Sequence, residues 1–196
     1  VIDGLRSMKS KEETKVMEES ASIADRVIEN IIDACEVGSS EKEIANLIEV
    51  EFRKRDVESM PFRPIVASGP NGAFPHHKAG DRRFKRGDSV VLDLGAAYMG
   101  YCSDITRTIF IDNCGSKEKT VYEIVRQAQQ LAFESIAEGV EARRVDRAAR
   151  THIADKGYGE KFIHRIGHGI GLDVHEAPYI WEGNAQILKS GMTFSV

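Results

Sequence analysis

Apolar residues at helical spacing organise the first fifty positions. Val16, Ala24, Val27, Ile28 and Ile31 mark one helix face, and Ser10 with Glu13 ahead of them has the form in which serine and glutamate satisfy each other's backbone N–H groups. This predicts a helix running to about Cys35 and stopping near Gly38. Ser40 with Glu43 repeats the signature, and Ile44, Leu47, Ile48 and Phe52 mark the core face of a second helix. A strand is expected over Phe62–Ser68, followed by SGPNGAFPHHKAG, whose Gly, Pro and Asn content predicts a surface loop. Ser116 begins a third helix with Val121, Ile124, Val125, Ala128, Leu131 and Ala132 on one side, ending near Gly139. Val145, Ala149 and Ile153 mark a fourth, closed by Lys156-Gly157.

Between the second and third helices the pattern changes from helical spacing to a strand signal. Val90, Val91 and Leu92 open an apolar run, and Ile105, Thr106, Thr108, Ile109, Phe110 and Ile111 supply β-branched and aromatic residues on the far side of Gly95 and Gly100. A hairpin symmetric about Tyr98–Met99, or one with a four-residue loop over Ala97–Gly100, sets Asp93 directly opposite Asp104. Like charges on facing strands repel, and Asp is a poor strand residue. A bound cation would compensate both violations. The alternative is that one Asp faces solvent in a turn while the other caps a strand end.

The two halves of the chain echo each other. Gly38 precedes Ile44 by six positions and Gly139 precedes Val145 by six; Ile44 to Phe52 and Val145 to Ile153 both span eight. Phe62 stands fourteen before His76, and Phe162 thirteen before His175. Each half therefore reads helix, helix, strand, histidine, as expected of two related α/β units about an approximate two-fold.

Composition narrows the function classes. A chain of 196 residues with 41% hydrophobic and 30% charged residues is globular, and no apolar run approaches the length that spans a bilayer. The net charge of −4, with basic residues scattered among acids, offers no stripe for nucleic acid or an acidic membrane. Cys35, Cys102 and Cys114 form no C-x-x-C pair and read as free thiols of a reducing cytoplasm. The opening residues contain no secretory signal.

Five of the six histidines fall in two clusters, His76-His77 and His164, His168, His175. His164 and His168 have the spacing of two ligands on a helix, but Gly167, Gly169 and Gly171 argue against a helix there. A single histidine is usually structural. Three within twelve residues, among glycines that let backbone approach a ligand closely, favour a site.

VVLDLGAAYMGYCSDITRT followed by GHGIGLDVHEAP strongly resembles the pita-bread metallopeptidases, in particular their proline-specific branch, prolidase and Xaa-Pro aminopeptidase. The resemblance runs from about Leu5 to the last residue and rests on four motifs in order. It implies an α+β pita-bread (creatinase/aminopeptidase) fold, two pseudo-symmetric α/β halves around a curved, mostly antiparallel sheet. It makes Asp93, Asp104 and His168 metal ligands, His76 and His175 catalytic groups acting on substrate, and His164 a substrate-binding residue. It implies two divalent ions, Mn²⁺ or Co²⁺ ahead of Zn²⁺, and a peptide or dipeptide substrate with proline at the second position. The family continues past GMTFSV with two glutamate ligands, one also the general base, and its proline-specific members carry an N-terminal domain. Residues 1–196 are accordingly expected to form a single catalytic domain incomplete at its C-terminus and inactive by itself. A homodimer is compatible with this reading, and no nucleic-acid or membrane partner is expected. The competing readings are a methionine aminopeptidase of the same fold and a non-catalytic pita-bread domain that binds peptides.

Overall fold

The structure is a computed structural model that describes residues 2–55, 57 and 59–196. The chain forms two compact units, one of Lys15–Glu118 and one of Val1–Thr14 with Lys119–Val196. Each has its own apolar core.

A short helix α1, Ile2–Arg6, precedes the long helix α2, Lys11–Asp33. The expected capping pair opens α2: Ser10 N donates to Glu13 Oε2 at 2.7 Å and Glu13 N to Ser10 Oγ at 3.2 Å. The second pair opens α3, Glu41–Arg53, in the same way through Ser40 and Glu43. Ile23, Val27 and Ile31 of α2 and Ile44, Ile48 and Phe52 of α3 are buried in one cluster. Against them lies an antiparallel sheet of β1 (Ile65–Ser68), β2 (Ser89–Leu94) and β5 (Ile105–Phe110), with β2 in the middle. Val90, Leu92 and Leu94 alternate inward, as a strand period of two requires. The strand expected from Phe62 begins only at Ile65, because Pro64 has no N–H to donate to a ladder.

The tip of the hairpin consists of β3 (Ala97–Tyr98) and β4 (Tyr101–Cys102). Its two-residue turn is Met99-Gly100, with φ of 47° and 79°. Positive φ at both central positions matches the right-handed twist of the flanking strands, and glycine meets that demand without strain. The expected register is corrected by this turn: facing residues add to 199 rather than 197, so Asp93 pairs with Thr106 and not with Asp104.

The other unit is built from α4 (Ser116–Glu134), α5 (Ala142–Asp155) and a hairpin of β6 (Gly167–Gly169) with β7 (Glu176–Ile180). Ile124, Ala128 and Ala132 of α4 and Val145, Ala149 and Ile153 of α5 share a core with Ile180 and Leu188. Val125 and Leu131, expected on the core face of α4, are 54% and 41% exposed; the buried stripe is the narrow one at four-residue spacing. Phe162 begins no strand. A 3₁₀ turn, Gly159–Lys161, precedes it, and the strand of this half is β6.

The repeated construction is visible in the backbone hydrogen bonds. Gly38 N donates to Phe84 O, Glu41 N to Arg82 O and Lys42 N to Gly80 O; Gly139 N donates to Leu188 O, Ala142 N to Gln186 O and Arg143 N to Asn184 O. Helix positions differ by 101 and the returning chain by 104. Gly38 and Gly139 both have positive φ, 95° and 87°, which turns the chain into the second helix of each half.

Candidate active site

The two candidate carboxylates stand on the β2–β5 hairpin. Asp93 lies on the face opposite Val90, Leu92 and Leu94, and Thr106 Oγ1 donates to its Oδ1 at 3.1 Å. Extending the register puts Asp104 opposite Gly95, two positions along from the partner of Asp93. The shift by two residues preserves the face, so Asp93 and Asp104 remain diagonal neighbours on one side, a relation that separates them by on the order of 7–8 Å. The strands can approach at Gly95 because its missing Cβ would strike the Ser103 carbonyl oxygen. Ser103 N in turn donates to Ala96 O, which continues the ladder past the carboxylates.

His76 lies in the loop after β1, one position before His77, which meets a buried carboxylate that the sequence did not distinguish from surface glutamates. Glu41, fully buried at the start of α3, accepts at Oε1 from Ser68 N (2.9 Å), Ser68 Oγ (2.7 Å) and Asn71 Nδ2 (2.8 Å). At Oε2 it accepts from His77 Nε2 (2.7 Å) and Gly80 N (3.2 Å). Burial alone would push its carboxyl up; the bonds from Ser68, Asn71 and His77 outweigh that and hold it down at about 2. Glu41 is therefore ionised, and His77 must be the donor. Ser68 Oγ also accepts from Arg82, whose guanidinium is bidentate to Asp88 at 2.7 and 2.9 Å. His76 itself is exposed.

In the other unit His168 sits in β6 opposite Tyr179, outside any helix, as Gly167, Gly169 and Gly171 led one to expect. Its Nδ1 donates to Gly169 O at 3.1 Å, and in the neutral ring this tautomer puts the lone pair on Nε2. His175 meets it edge to face with ring centroids 4.2 Å apart. The glycines serve the protein's own backbone: a Cβ at Gly167 would strike the Ser195 carbonyl and one at Gly169 the Ala177 carbonyl.

Glu176, beside His175, fixes the turn that carries it. Its carboxylate takes Lys9 Nζ at 2.6 Å and Arg6 Nη2 at 3.0 Å, and Arg6 also reaches Asp173 at 2.6 Å. The Lys9 side chain is 2% exposed, so this pair is shielded from water. His164 is exposed, its Nδ1 donating to Arg165 O at 2.8 Å. Its segment is fastened through Asp146, fully buried on α5, which is bidentate to Arg150 at 2.7 and 2.9 Å. Arg150 donates onward to Phe162 O and His164 O. Neither Lys9–Glu176 nor Asp146–Arg150 was legible beforehand, since pairs separated by 167 positions, or embedded in a helix with four arginines, carry no distinguishing sequence signal.

The structure thus brings Asp93 and Asp104 onto one face, and His168 and His175 into contact. Among the described residues no group of three or more His, Cys, Asp or Glu side chains is arranged to hold a metal ion. By donor type each unit offers groups that a divalent ion accepts: two carboxylates on one hairpin in the first, and in the other an imidazole whose second nitrogen is tied to a carbonyl.

Residues 15–196 match the metallopeptidase family M24, and the chain belongs to that family. It is 42% identical over its whole length to the Xaa-Pro dipeptidase of Pyrococcus horikoshii, covering 56% of that protein. Among solved structures, the prolidase of Thermococcus sibiricus superposes with a TM-score of 0.96 at 49% identity, over 99% of this chain and 53% of that one. An X-Pro aminopeptidase from Thermotoga maritima superposes with a TM-score of 0.95 at 40% identity, over 98% and 55%. The chain therefore spans little more than half the length of these relatives, and its fold is their pita-bread fold.

Proposed function

We propose that this protein is a divalent-metal-dependent peptidase that hydrolyses Xaa-Pro bonds, in dipeptides or at peptide N-termini. The observation that carries the proposal is the identity of 42% along the full chain to an Xaa-Pro dipeptidase, in a chain that keeps two carboxylates on one hairpin face. Asp93 and Asp104 would supply oxygen ligands and His168 an imidazole nitrogen, a donor set suited to Mn²⁺, Co²⁺ or Zn²⁺. Bound divalent ions would provide Lewis acidity and a water of lowered pKa. His76 and His175 donate hydrogen bonds to the developing oxyanion or to the departing proline nitrogen, which must gain a proton to leave. His164 lines the substrate pocket. Xaa-Pro bonds lack an N–H, so recognition rests on the proline ring rather than on an amide donor at that bond.

Cys35, Cys102 and Cys114 form no disulfide among the described residues, which fits a reducing compartment, and we assign the protein to the cytoplasm. No described helix is long and apolar enough to cross a membrane. The test is hydrolysis of Ala-Pro, Ala-Pro-Ala and Met-Ala-Ser by the chelator-treated full-length protein, with Mn²⁺, Co²⁺ or Zn²⁺ restored; residues 1–196 by themselves are expected to be inactive. Cleavage of the proline peptides alone is expected; cleavage of Met-Ala-Ser alone would assign the methionine branch, and no cleavage of any would favour a binding domain.

A further inference from the structure

We propose that Glu41 is a positioning residue for His76, acting through the Ser68–Gly80 loop that it gathers from inside; this rests on the catalytic role proposed for His76. A loop of this length has many conformations unless something fastens it, and its polar backbone cannot be left unpaired where it is buried. Glu41 takes five hydrogen bonds from it, from Ser68 at its start, Asn71 in its 3₁₀ turn, His77 beside His76 and Gly80 at its end. Between Asn71 and His77 the backbone is closed by Phe74 N to Asn71 O at 3.0 Å and His77 N to Phe74 O at 3.1 Å. His76 is thereby held immediately before an anchored residue while its own side chain stays exposed.

All five groups on Glu41 act as donors, so only a group with two acceptor oxygens satisfies them together. An amide of the same shape has one oxygen and one NH₂, and its NH₂ must confront either Ser68 and Asn71 or His77 and Gly80. Glu41→Gln consequently keeps the packing and loses one side of the clamp. Asp88 and Arg82 add an outer fastening at Ser68, but they do not reach His77.

The test uses the intact protein with its metal content measured. Glu41→Gln should lower kcat for an Ala-Pro substrate about 10–100-fold with metal content unchanged, the scale on which misplacing a catalytic group by an ångström acts. His77→Ala, which removes one anchor without touching the helix, should cost less and in the same direction. The deciding measurement is the double variant: on a His76→Ala background, Glu41→Gln should lower turnover no further, within about two-fold, because both act at one place. Losses that multiply would overturn the proposal. Amide hydrogen exchange provides a readout independent of activity. Glu41→Gln should speed exchange within residues 71–80 and leave Val90–Leu94 unchanged, and unchanged exchange in 71–80 would also overturn it. If the wild-type protein cleaves no Xaa-Pro substrate, the functional reading fails, while exchange still decides whether Glu41 holds the loop.

Discussion

The two halves share a backbone design and fasten their histidine-bearing loops differently. At the first turn of α3 stands Glu41 and at the matching turn of α5 stands Ala142, both fully buried and both donating a backbone N–H to the returning chain. Glu41 holds its loop directly. In the other half the carboxylate lies one helical turn later, at Asp146, and works through Arg150, which reaches the carbonyls of Phe162 and His164. A direct carboxylate collects N–H and O–H donors, whereas a carboxylate bearing a guanidinium presents donors to carbonyl oxygens. The hairpins divide the chemistry too, with carboxylates on β2–β5 and imidazoles at β6–β7. A repeated backbone thus leaves the side-chain chemistry of each half free to diverge.

The largest expected effect tests that division. Asp93→Asn or Asp104→Asn in one half, and His168→Ala in the other, should each lower Xaa-Pro hydrolysis at least ~10³-fold with loss of bound metal, since the ion's charge stabilisation is worth several kcal/mol. Elemental analysis beside turnover checks this, and a variant retaining both metal and rate would remove that residue from the ligand set. His76→Ala should cost roughly 10²–10⁴ in turnover with metal retained, as expected of a proton or hydrogen-bond donor. Loss of metal in that variant would turn His76 into a ligand.

Smaller effects separate the two fastenings. Arg150→Met should destabilise the protein by about 3–5 kcal/mol in urea unfolding, because it leaves the buried Asp146 carboxylate uncompensated. Glu41 should show itself instead in pH dependence. Its carboxyl is held at about 2 against the ordinary 4.5, so it favours the folded state above about pH 4.5 and loses that contribution as pH falls towards 2. The contribution at neutral pH is roughly 3 kcal/mol. Glu41→Gln should flatten this acid limb, and an unchanged limb would refute the assignment. The smallest effect concerns the turn that sets the carboxylate register. Met99 is exposed with φ of 47°, and Met99→Asn should raise stability by up to about 1 kcal/mol.

Local chemistry made much of the fold legible. Both capping pairs, the four long helices and the glycine stops at Gly38 and Gly139 follow from residues within a few positions of one another. The candidate site was partly legible for the same reason, since Asp93, Asp104 and the histidine cluster are crowded in short segments. The expected register is off by two because it centres the turn on Tyr98–Met99, whereas the strand twist asks for positive φ at both central positions and so draws Gly100 into the turn. Faces survived that error because strands repeat every two residues.

By itself the sequence determined where helices and strands form, which faces are apolar, and that carboxylates and imidazoles lie in two compact runs. Those properties depend on period, caps and local polarity. Only the tertiary structure decided that Glu41 and Asp146 are interior charges, that Lys9 pairs with Glu176 across 167 positions, and that the glycines of β6 admit the protein's own carbonyls. Burial of a charge depends on which distant donors converge on it, and no pattern of neighbouring residues encodes that convergence.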